Sequence, residues 1–252
     1  MKKKLAIFDF DSTIKEHEHG FTLGGRSKLF PGQQIPEEMF KLRENFSFSE
    51  WTVLVNDAFN ELNVSKEERV KVIENDGSVV QGMDQVLKKL HKNHDIIIIT
   101  GSDYETVRLF MLKHNILQFV KNIYGRPGHF TNDGKLKLEN IPLTWGIPCQ
   151  SCKDGYGCAK DYKIFCKTSI LSTYIEETRA IRYERFIYFG DGYNDLCPVL
   201  NFGPNAIVCP RKGYKLESLI KEKDLKHIRA KVLAWCNGLD LMNILNLIIM
   251  FL

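Results

Sequence analysis

The stretch Leu5-Ala6-Ile7-Phe8-Asp9-Phe10-Asp11-Ser12-Thr13-Ile14 decides the fold of this chain. Its first four residues form an apolar run without alternation, which is typical of a strand buried on both faces of a parallel sheet. Asp9 ends that run, and Asp11 follows two positions later. Because ligands bind beyond the carboxyl ends of parallel strands, these carboxylates predict a site at that edge of the sheet.

Three further apolar runs share the composition of the first one, and they lie at 96–99, 186–189 and 206–208. Apolar residues recur at helical spacing between the runs, over 83–92, 104–114 and 167–178. Strands that alternate with helices predict an α/β fold with right-handed crossovers. We therefore expect a Rossmann-like doubly wound parallel sheet.

Residues 15–77 interrupt this alternation. They are polar and helical in pattern, with apolar anchors at Phe40, Phe46, Phe48, Trp51, Val55 and Phe59. We expect them to form a helical cap inserted after the first strand, so that 1–14 and 78–252 make the core domain. The alternative is that they pack as additional helices on one face of the sheet.

Polar residues also follow the second and third runs, as Thr100-Gly101-Ser102-Asp103 and Gly190-Asp191-Gly192-Tyr193-Asn194-Asp195. Aspartates that converge at one sheet edge repel one another unless a cation lies among them. Ligands that are oxygen atoms only select a hard ion such as Mg²⁺. Asp9 is the expected nucleophile because it directly ends its strand, and Asp11 is the expected acid and base.

These residues resemble the four motifs of the haloacid dehalogenase-like phosphatase superfamily. The first is similar to Phe8–Ile14, the second to Ile98–Gly101, the third to Lys167 with Ile170-Leu171, and the fourth to Gly190–Asp195. The motifs occur in the family's order. The resemblance implies an enzyme that hydrolyses phosphomonoesters.

The resemblance also implies how the reaction runs. Asp9 attacks phosphorus and forms an aspartyl phosphate, and Asp11 protonates the leaving group and then activates water. The implied Mg²⁺ ligands are the Asp9 carboxylate, the main-chain carbonyl of Asp11, and Asp191, with Asp195 in support. The implied phosphate-binding residues are Thr100, Gly101 and Lys167, and Lys160 and Lys163 compete with Lys167 for this role.

A narrower resemblance connects the chain with the branch of phosphoethanolamine/phosphocholine and pyridoxal phosphate phosphatases. It rests on Pro31–Pro36, Cys149–Cys152, Gly190–Pro198 and Pro210–Tyr214. The chain departs from the branch at Lys15-Glu16-His17-Glu18-His19, where the branch has an acidic Asn-Ser-Asp stretch, and in its second motif, where the branch has Ser-Asp. Both departures lie near the expected place of the non-phosphate part of a substrate, so the choice of substrate stays open.

Cys149, Cys152, Cys158 and Cys166 form a C-x2-C-x5-C-x7-C cluster. They predict either a structural Zn²⁺ site or free thiols in a loop near the active site. Cys197 and Cys209 have the character of small buried residues. His17 and His19 are interpreted as a solvated hinge rather than metal ligands.

Charge and composition narrow the classes of partner. A net charge of +4 over 252 residues, with scattered basic residues, excludes a nucleic-acid footprint and suits a small anionic substrate. The apolar stretch 241–252 is too short to span a bilayer and predicts a last helix, so no membrane partner is expected. Seven cysteines and no secretory signal indicate a cytoplasmic protein with reduced thiols.

Hydrolysis of a small phosphomonoester is the leading functional hypothesis. A phosphoserine-type phosphatase is an alternative, against which the cysteine cluster and Pro210–Tyr214 argue. A non-catalytic phospholigand-binding protein is a second alternative, but both Asp9 and Asp11 are present. A zinc-dependent interaction module centred on the cysteines is a third.

Overall fold

The structure is a computed structural model that describes residues 3–16, 29–30, 34–62, 64–156, 165–222 and 228–250. The strands are β1 (Lys3–Phe8), β2 (Lys15–Glu16), β3 (Ser78–Val79), β4 (His94–Asp103), β5 (Asn122–Arg126), β6 (Gly128–Phe130), β7 (Leu136–Leu138), β8 (Tyr183–Gly190), β9 (Ala206–Pro210) and β10 (Lys231–Val232). The α-helices are α1 (Glu37–Leu42), α2 (Phe48–Asn60), α3 (Lys66–Glu74), α4 (Met83–His91), α5 (Tyr104–Lys113), α6 (Gln150–Lys153), α7 (Lys167–Glu177), α8 (Leu196–Asn201), α9 (Lys215–Glu222) and α10 (Gly238–Met250).

The central sheet has six parallel strands in the order β10-β9-β8-β1-β4-β5. The chain builds outward from β1 to β4 and β5, and then returns to the other side for β8, β9 and β10. The strand order therefore reverses between β1 and β8, and a ligand crevice is expected at such a switch point. All four apolar runs lie in this sheet, which confirms the predicted α/β fold.

Both faces of the sheet are covered by helices. Ala6 and Phe8 of β1 pack with α4, α5 and α10 on one face. Leu5 and Ile7 point to the other face, where α7, α8 and α9 pack. This alternation follows from the two-residue period of a strand, and it explains why β1 carries no polar residue between Leu5 and Phe8.

The last helix, α10, packs on the sheet through the buried residues Leu241 and Leu245. It begins at Gly238, slightly before the predicted stretch 241–252. No helix in the described ranges is both long and apolar enough to cross a membrane.

Three helices, α1 to α3, lie between β2 and β3, where the sequence predicts a cap. Their apolar cluster consists of Phe30, Ile35, Trp51, Val55 and Phe59, and it is separate from the two clusters on the faces of the sheet. The division into a core and a cap over 15–77 stays a prediction.

Two of the predicted cap anchors are wrong. Phe40 is 43% exposed and Phe46 is 40% exposed. Phe40 belongs to α1, a helix of 6 residues that buries none of its side chains, and Phe46 lies in the turn that follows α1. A helix this short has too little surface to bury a full apolar face.

The start and the end of the helical segment lie side by side and are joined by strand pairing and an ion pair. β2 and β3 pair antiparallel, with Lys15 opposite Val79. The Lys15 ammonium lies 2.5 Å from the Asp76 carboxylate, and both side chains are buried. Gly77 completes the junction with a φ of +88°.

A hairpin of β6 and β7, which the sequence did not indicate, contacts the helical segment. The Leu136 carbonyl accepts hydrogen bonds from the side chains of Asn56 at 2.9 Å and Asn60 at 3.0 Å. Since both asparagines belong to α2, the hairpin anchors that helix to the part of the chain that follows β5.

We expect Gly77→Ala to lower the free energy of unfolding by more than about 3 kcal/mol. An added Cβ would lie 2.1 Å from the Glu16 carbonyl oxygen, in a backbone conformation that alanine adopts poorly. Gly155→Ala is the matched control, because Gly155 has a φ of +81° but no atom within 4 Å of the added Cβ. Urea unfolding measures both variants. Equal losses would show that backbone strain alone acts and that the junction is not tightly packed.

Candidate active site

The carboxyl ends of β1, β4 and β8 meet at the predicted site. Asp9 follows β1, Thr100 lies near the end of β4, and Asp191 follows β8. Carboxylate oxygens of Asp9, Asp191 and Asp195 lie within 4.8 Å of one another. The structure therefore brings residues from distant parts of the sequence to one edge of the sheet.

Lys167 is the positive charge in this acidic cluster. Its ammonium lies 2.9 Å from Asp9 Oδ2 and 2.7 Å from Asp195 Oδ1. The side chain is fully buried at the start of α7. Burial alone would lower the pKa of Lys167, but the Asp195 and Asp9 carboxylates outweigh it and raise that pKa. Lys167 is therefore held charged between two acids.

Each carboxylate oxygen of Asp195 accepts two hydrogen bonds. Oδ1 accepts from the Lys167 ammonium and, at 2.5 Å, from the Tyr188 hydroxyl. Oδ2 accepts from the backbone amides of Asp191 at 3.1 Å and Gly192 at 2.9 Å. Asp195 thus shapes the loop after β8, and its supporting role at a metal stays a prediction. The sequence did not indicate Tyr188 because the contact depends on tertiary folding.

Asp9 is buried and oriented from two sides. Oδ1 accepts from the Phe10 amide at 2.7 Å, and Oδ2 faces Lys167. Burial and the negative charges of Asp195 and Asp191 raise the pKa of Asp9, although Lys167 opposes them. Ionised Asp9 is therefore costly until more positive charge is present.

Asp191 is a second carboxyl group of the site with a raised pKa. Burial, and next the charge of Asp195, raise the pKa of Asp191 to about 7. In the described ranges, no side chain forms a hydrogen bond or an ion pair with the Asp191 carboxylate. Two carboxylates of raised pKa beside a sheet edge, with oxygen donors only, fit a hard divalent cation.

Asp11 is held from the neighbouring strand. The Ser102 hydroxyl donates to Asp11 Oδ2 at 2.6 Å, and the Ser102 amide donates to Thr100 Oγ1 at 3.1 Å. An added Cβ at Gly101 would meet no atom within 4 Å, so packing does not demand glycine there. Ser102 connects Asp11 with Thr100, a role that the sequence pattern did not indicate.

Arg211, just beyond β9, braces the turn after β1. Its guanidinium donates to the Ser12 carbonyl at 2.7 Å and forms an ion pair with Glu16. The rings of Tyr214 and Trp235 lie 4.6 and 5.4 Å from the guanidinium carbon. Ser12 has a φ of +55°, which is an uncommon conformation for a residue other than glycine. The hydrogen bond from Arg211 stabilises this conformation. The stretch Pro210–Tyr214, which the sequence indicated only through its resemblance, therefore stabilises the turn after β1.

The cysteine cluster differs from the predicted one. The thiols of Cys149, Cys152, Cys166 and Cys197 lie within 4.8 Å of one another. Cys197, interpreted from the sequence as a small buried residue, is buried and also belongs to the group. Predicted or competing residues outside the described ranges are Cys158, Lys160, Lys163, His17 and His19.

Comparison with known proteins identifies the family of the chain. A family model described as "Putative Phosphatase" matches residues 4–249. The chain belongs to this family. It is similar to the pyridoxal phosphate phosphatase PHOSPHO2 of Rattus norvegicus, with 25% identity over 98% of this chain and 99% of the relative. It is also similar to the phosphoethanolamine/phosphocholine phosphatase of Gallus gallus, with 27% identity over 92% of this chain and 84% of the relative.

Solved structures agree at the level of the fold. A phosphoserine phosphatase described as a phospho-aspartyl intermediate analogue superposes with a TM-score of 0.57 and 18% identity, covering 98% of this chain and 99% of that one. The protein is a phosphatase with the haloacid dehalogenase-like fold, and hence a phosphoric monoester hydrolase. This confirms the family and the class of enzyme expected from the four motifs.

Proposed function

We propose that this phosphatase is Mg²⁺-dependent and hydrolyses a small phosphomonoester of the phosphoethanolamine, phosphocholine or pyridoxal 5′-phosphate type, through an aspartyl phosphate on Asp9. The names of the sequence relatives support the substrate class. The observation that carries the proposal is the Asp9 carboxylate at the end of β1, with Lys167 at 2.9 Å and Asp11 two residues on.

In the first step, a carboxylate oxygen of Asp9 attacks phosphorus, and the bond from phosphorus to the leaving oxygen breaks. Protonated Asp11 donates its proton to that oxygen. The Phe10 amide and the Lys167 ammonium hold the Asp9 carboxylate in place, which limits its loss of freedom during attack. Lys167 also lies where it can neutralise a phosphoryl oxygen, and Thr100 and Gly101 are proposed to bind the others.

In the second step, Asp11 accepts a proton from water, which attacks phosphorus and breaks its bond to Asp9. The Ser102 hydroxyl orients Asp11 for both proton transfers. Mg²⁺, when bound, supplies positive charge that offsets the negative charge of the transferring phosphoryl group. We propose that the Asp9 carboxylate, the Asp11 carbonyl and Asp191 hold it, with Asp195 in support.

The remaining parts of the proposal concern the surroundings of the site. Residues 15–77 are proposed to act as a cap that excludes bulk water from the reaction. The contact between Arg211 and Glu16 supports this, because it connects the core with the start of that segment. An odd number of cysteines, with no disulfide among the described ones, supports a cytoplasmic location.

Phosphate release from a substrate panel tests the proposal. The panel contains phosphoethanolamine, phosphocholine, pyridoxal 5′-phosphate, phosphoserine and p-nitrophenyl phosphate, each with Mg²⁺ and with a chelator. We expect Mg²⁺-dependent release, with one of the first three as the best substrate. A preference for phosphoserine would favour the alternative substrate class. Release that is equal with and without Mg²⁺ would contradict the metal dependence.

The raised pKa of Asp191 predicts a pH-dependent response to Mg²⁺. In the metal-free protein this carboxyl titrates near 7 instead of 3.8, so its ionisation costs stability progressively as pH rises through that window. Mg²⁺ offsets this cost only where the carboxyl is ionised. We expect the Mg²⁺ concentration for half of the maximal rise in Tm to be at least about tenfold higher at pH 5.5 than at pH 7.5.

Thermal unfolding with increasing Mg²⁺ measures this effect. Asp191→Asn should lose the rise in Tm at both pH values, whereas Asp84→Asn, an exposed site on α4, should behave like the wild type. Equal half-saturating Mg²⁺ concentrations at the two pH values would contradict the prediction.

A further inference from the structure

Four cysteines from three stretches of the chain meet beside the active site. Cys152, Cys166 and Cys197 are buried, and Cys149 is half-buried. All four sulfurs lie within 4.8 Å of one another. Cys149 and Cys152 flank the first turn of α6, Cys166 directly precedes α7, and Cys197 lies in α8. Three separate helices therefore contribute to one cluster.

The sulfur distances fit metal coordination better than disulfides. Cys149 and Cys152 sulfurs are 3.5 Å apart, and Cys152 and Cys166 sulfurs are 3.7 Å apart. A disulfide requires about 2.05 Å. A tetrahedron of sulfurs, each about 2.3 Å from Zn²⁺, has edges of about 3.8 Å. The two sulfur–sulfur distances match the edges of a tetrathiolate site, and all four sulfurs lie within 4.8 Å of one another.

The spacing and the surroundings agree with this geometry. Two cysteines separated by two residues form the usual first half of a structural zinc site. The Asn201 amide donates to the Cys197 carbonyl at 2.7 Å and approaches Cys149 Sγ at 3.9 Å. Such outer contacts hold metal ligands in orientation. The thiols are packed together as a cluster of their own and not dispersed through the apolar core.

We propose that Cys149, Cys152, Cys166 and Cys197 bind a structural Zn²⁺ that fixes the starts of α7 and α8. This assignment replaces Cys158 of the sequence-based cluster with Cys197.

The position of the site suggests what the zinc does. Cys166 is the residue before Lys167, and Cys197 lies two residues after Asp195. Zinc would therefore connect the two chain segments that carry the buried Lys167–Asp195 ion pair, whose atoms are 2.7 Å apart. It would act as a positioning element for this pair, whichever phosphomonoester the enzyme hydrolyses.

Metal analysis of the protein tests the proposal independently of activity. The full chain, purified under reducing conditions and dialysed into Mg²⁺ buffer, should contain about one zinc per chain by mass spectrometry. Cys152→Ser and Cys197→Ser should lose the zinc, and their Tm should fall by about 10 °C. Cys236→Ser, at an exposed cysteine outside the cluster, should keep it. Cys158→Ser should also keep it, and loss of zinc there would overturn the ligand assignment.

Two measurements on the unaltered chain cover the case in which the serine variants do not fold. Cobalt exchanged into the site should give the intense visible absorption of tetrahedral thiolate coordination. Alkylation of the denatured protein with a chelator present should modify all seven cysteines. Absence of bound metal, iron in place of zinc, or a disulfide among the four cysteines would overturn the proposal.

Discussion

Asp9→Asn is expected to lower kcat for phosphate release by at least about 10⁴-fold. An amide oxygen is a poor nucleophile, so no aspartyl phosphate can form. Asp11 and Lys167 cannot compensate for this loss, because both assist a reaction that begins with the attack of Asp9 on phosphorus. Phosphate release under saturating substrate and Mg²⁺ measures the effect.

The same variant should be at least as stable as the wild type without Mg²⁺. Burial and the charges of Asp195 and Asp191 raise the pKa of Asp9, so its ionised form destabilises the metal-free protein near neutral pH. Asparagine removes that charge, and Lys167 keeps Asp195 as its partner. Asp84→Asn serves as the control and should change neither quantity. Activity within tenfold of the wild type would contradict the nucleophilic role of Asp9.

Lys167→Met is expected to lower kcat/KM by about 10³-fold. Methionine is similar in length to lysine but carries no charge. The variant therefore has no ammonium at this position to neutralise a phosphoryl oxygen. Asp9 and Asp195 also lose the cation that they share, while Asp191 lies within 4.8 Å of both. The free energy of unfolding without Mg²⁺ should fall by about 3 kcal/mol at pH 8.

The loss of stability in Lys167→Met should shrink as pH falls. Asp9 and Asp191 then take up protons, because their already raised pKa values rise further once the ammonium is gone. Lys88→Met, at an exposed position on α4, is the matched control. Near-normal activity in Lys167→Met would transfer the role to Lys160 or Lys163, and the same substitution at those positions would identify which.

The sheet could be predicted from the sequence because its inner strands are buried on both faces. Runs such as Ile96–Ile99 have no polar residue to suggest another structure. β5 was not predicted, since Asn122 and Arg126 interrupt its apolar character, and β10 has only 2 residues. The hairpin of β6 and β7 was not predicted either, because its strands are short and partly exposed.

Asp9 and Asp191 could be predicted because each directly follows the end of a strand. The pairs that organise the site could not, since they join residues far apart along the chain. Lys167 with Asp195 and Ser102 with Asp11 are examples, separated by 28 and 91 positions. Cys197 is buried as expected, but its place beside the other three thiols could not be predicted, because a spacing pattern detects only ligands that are close in sequence.

The two departures from the related branch acquire physical meaning in the structure. Ser102, in the altered second motif, binds the proposed acid and base Asp11. Glu16, in the altered stretch after the first motif, binds Arg211, which also holds the Ser12 carbonyl. Both changes therefore lie in contacts around the turn after β1, where we expect an effect on substrate choice or orientation.

Trapping the covalent intermediate tests the central claim most directly. The enzyme is quenched in acid during turnover with Mg²⁺, reduced with borohydride, digested and analysed by mass spectrometry. Asp11→Asn is treated in parallel with p-nitrophenyl phosphate, whose leaving group departs without a proton, because loss of the base for the second step should then increase the trapped fraction. An acyl phosphate on Asp9 would be reduced to homoserine at that position, and this is the predicted result. Turnover with Asp9 unmodified in both proteins, or modification of a different residue, would contradict the account.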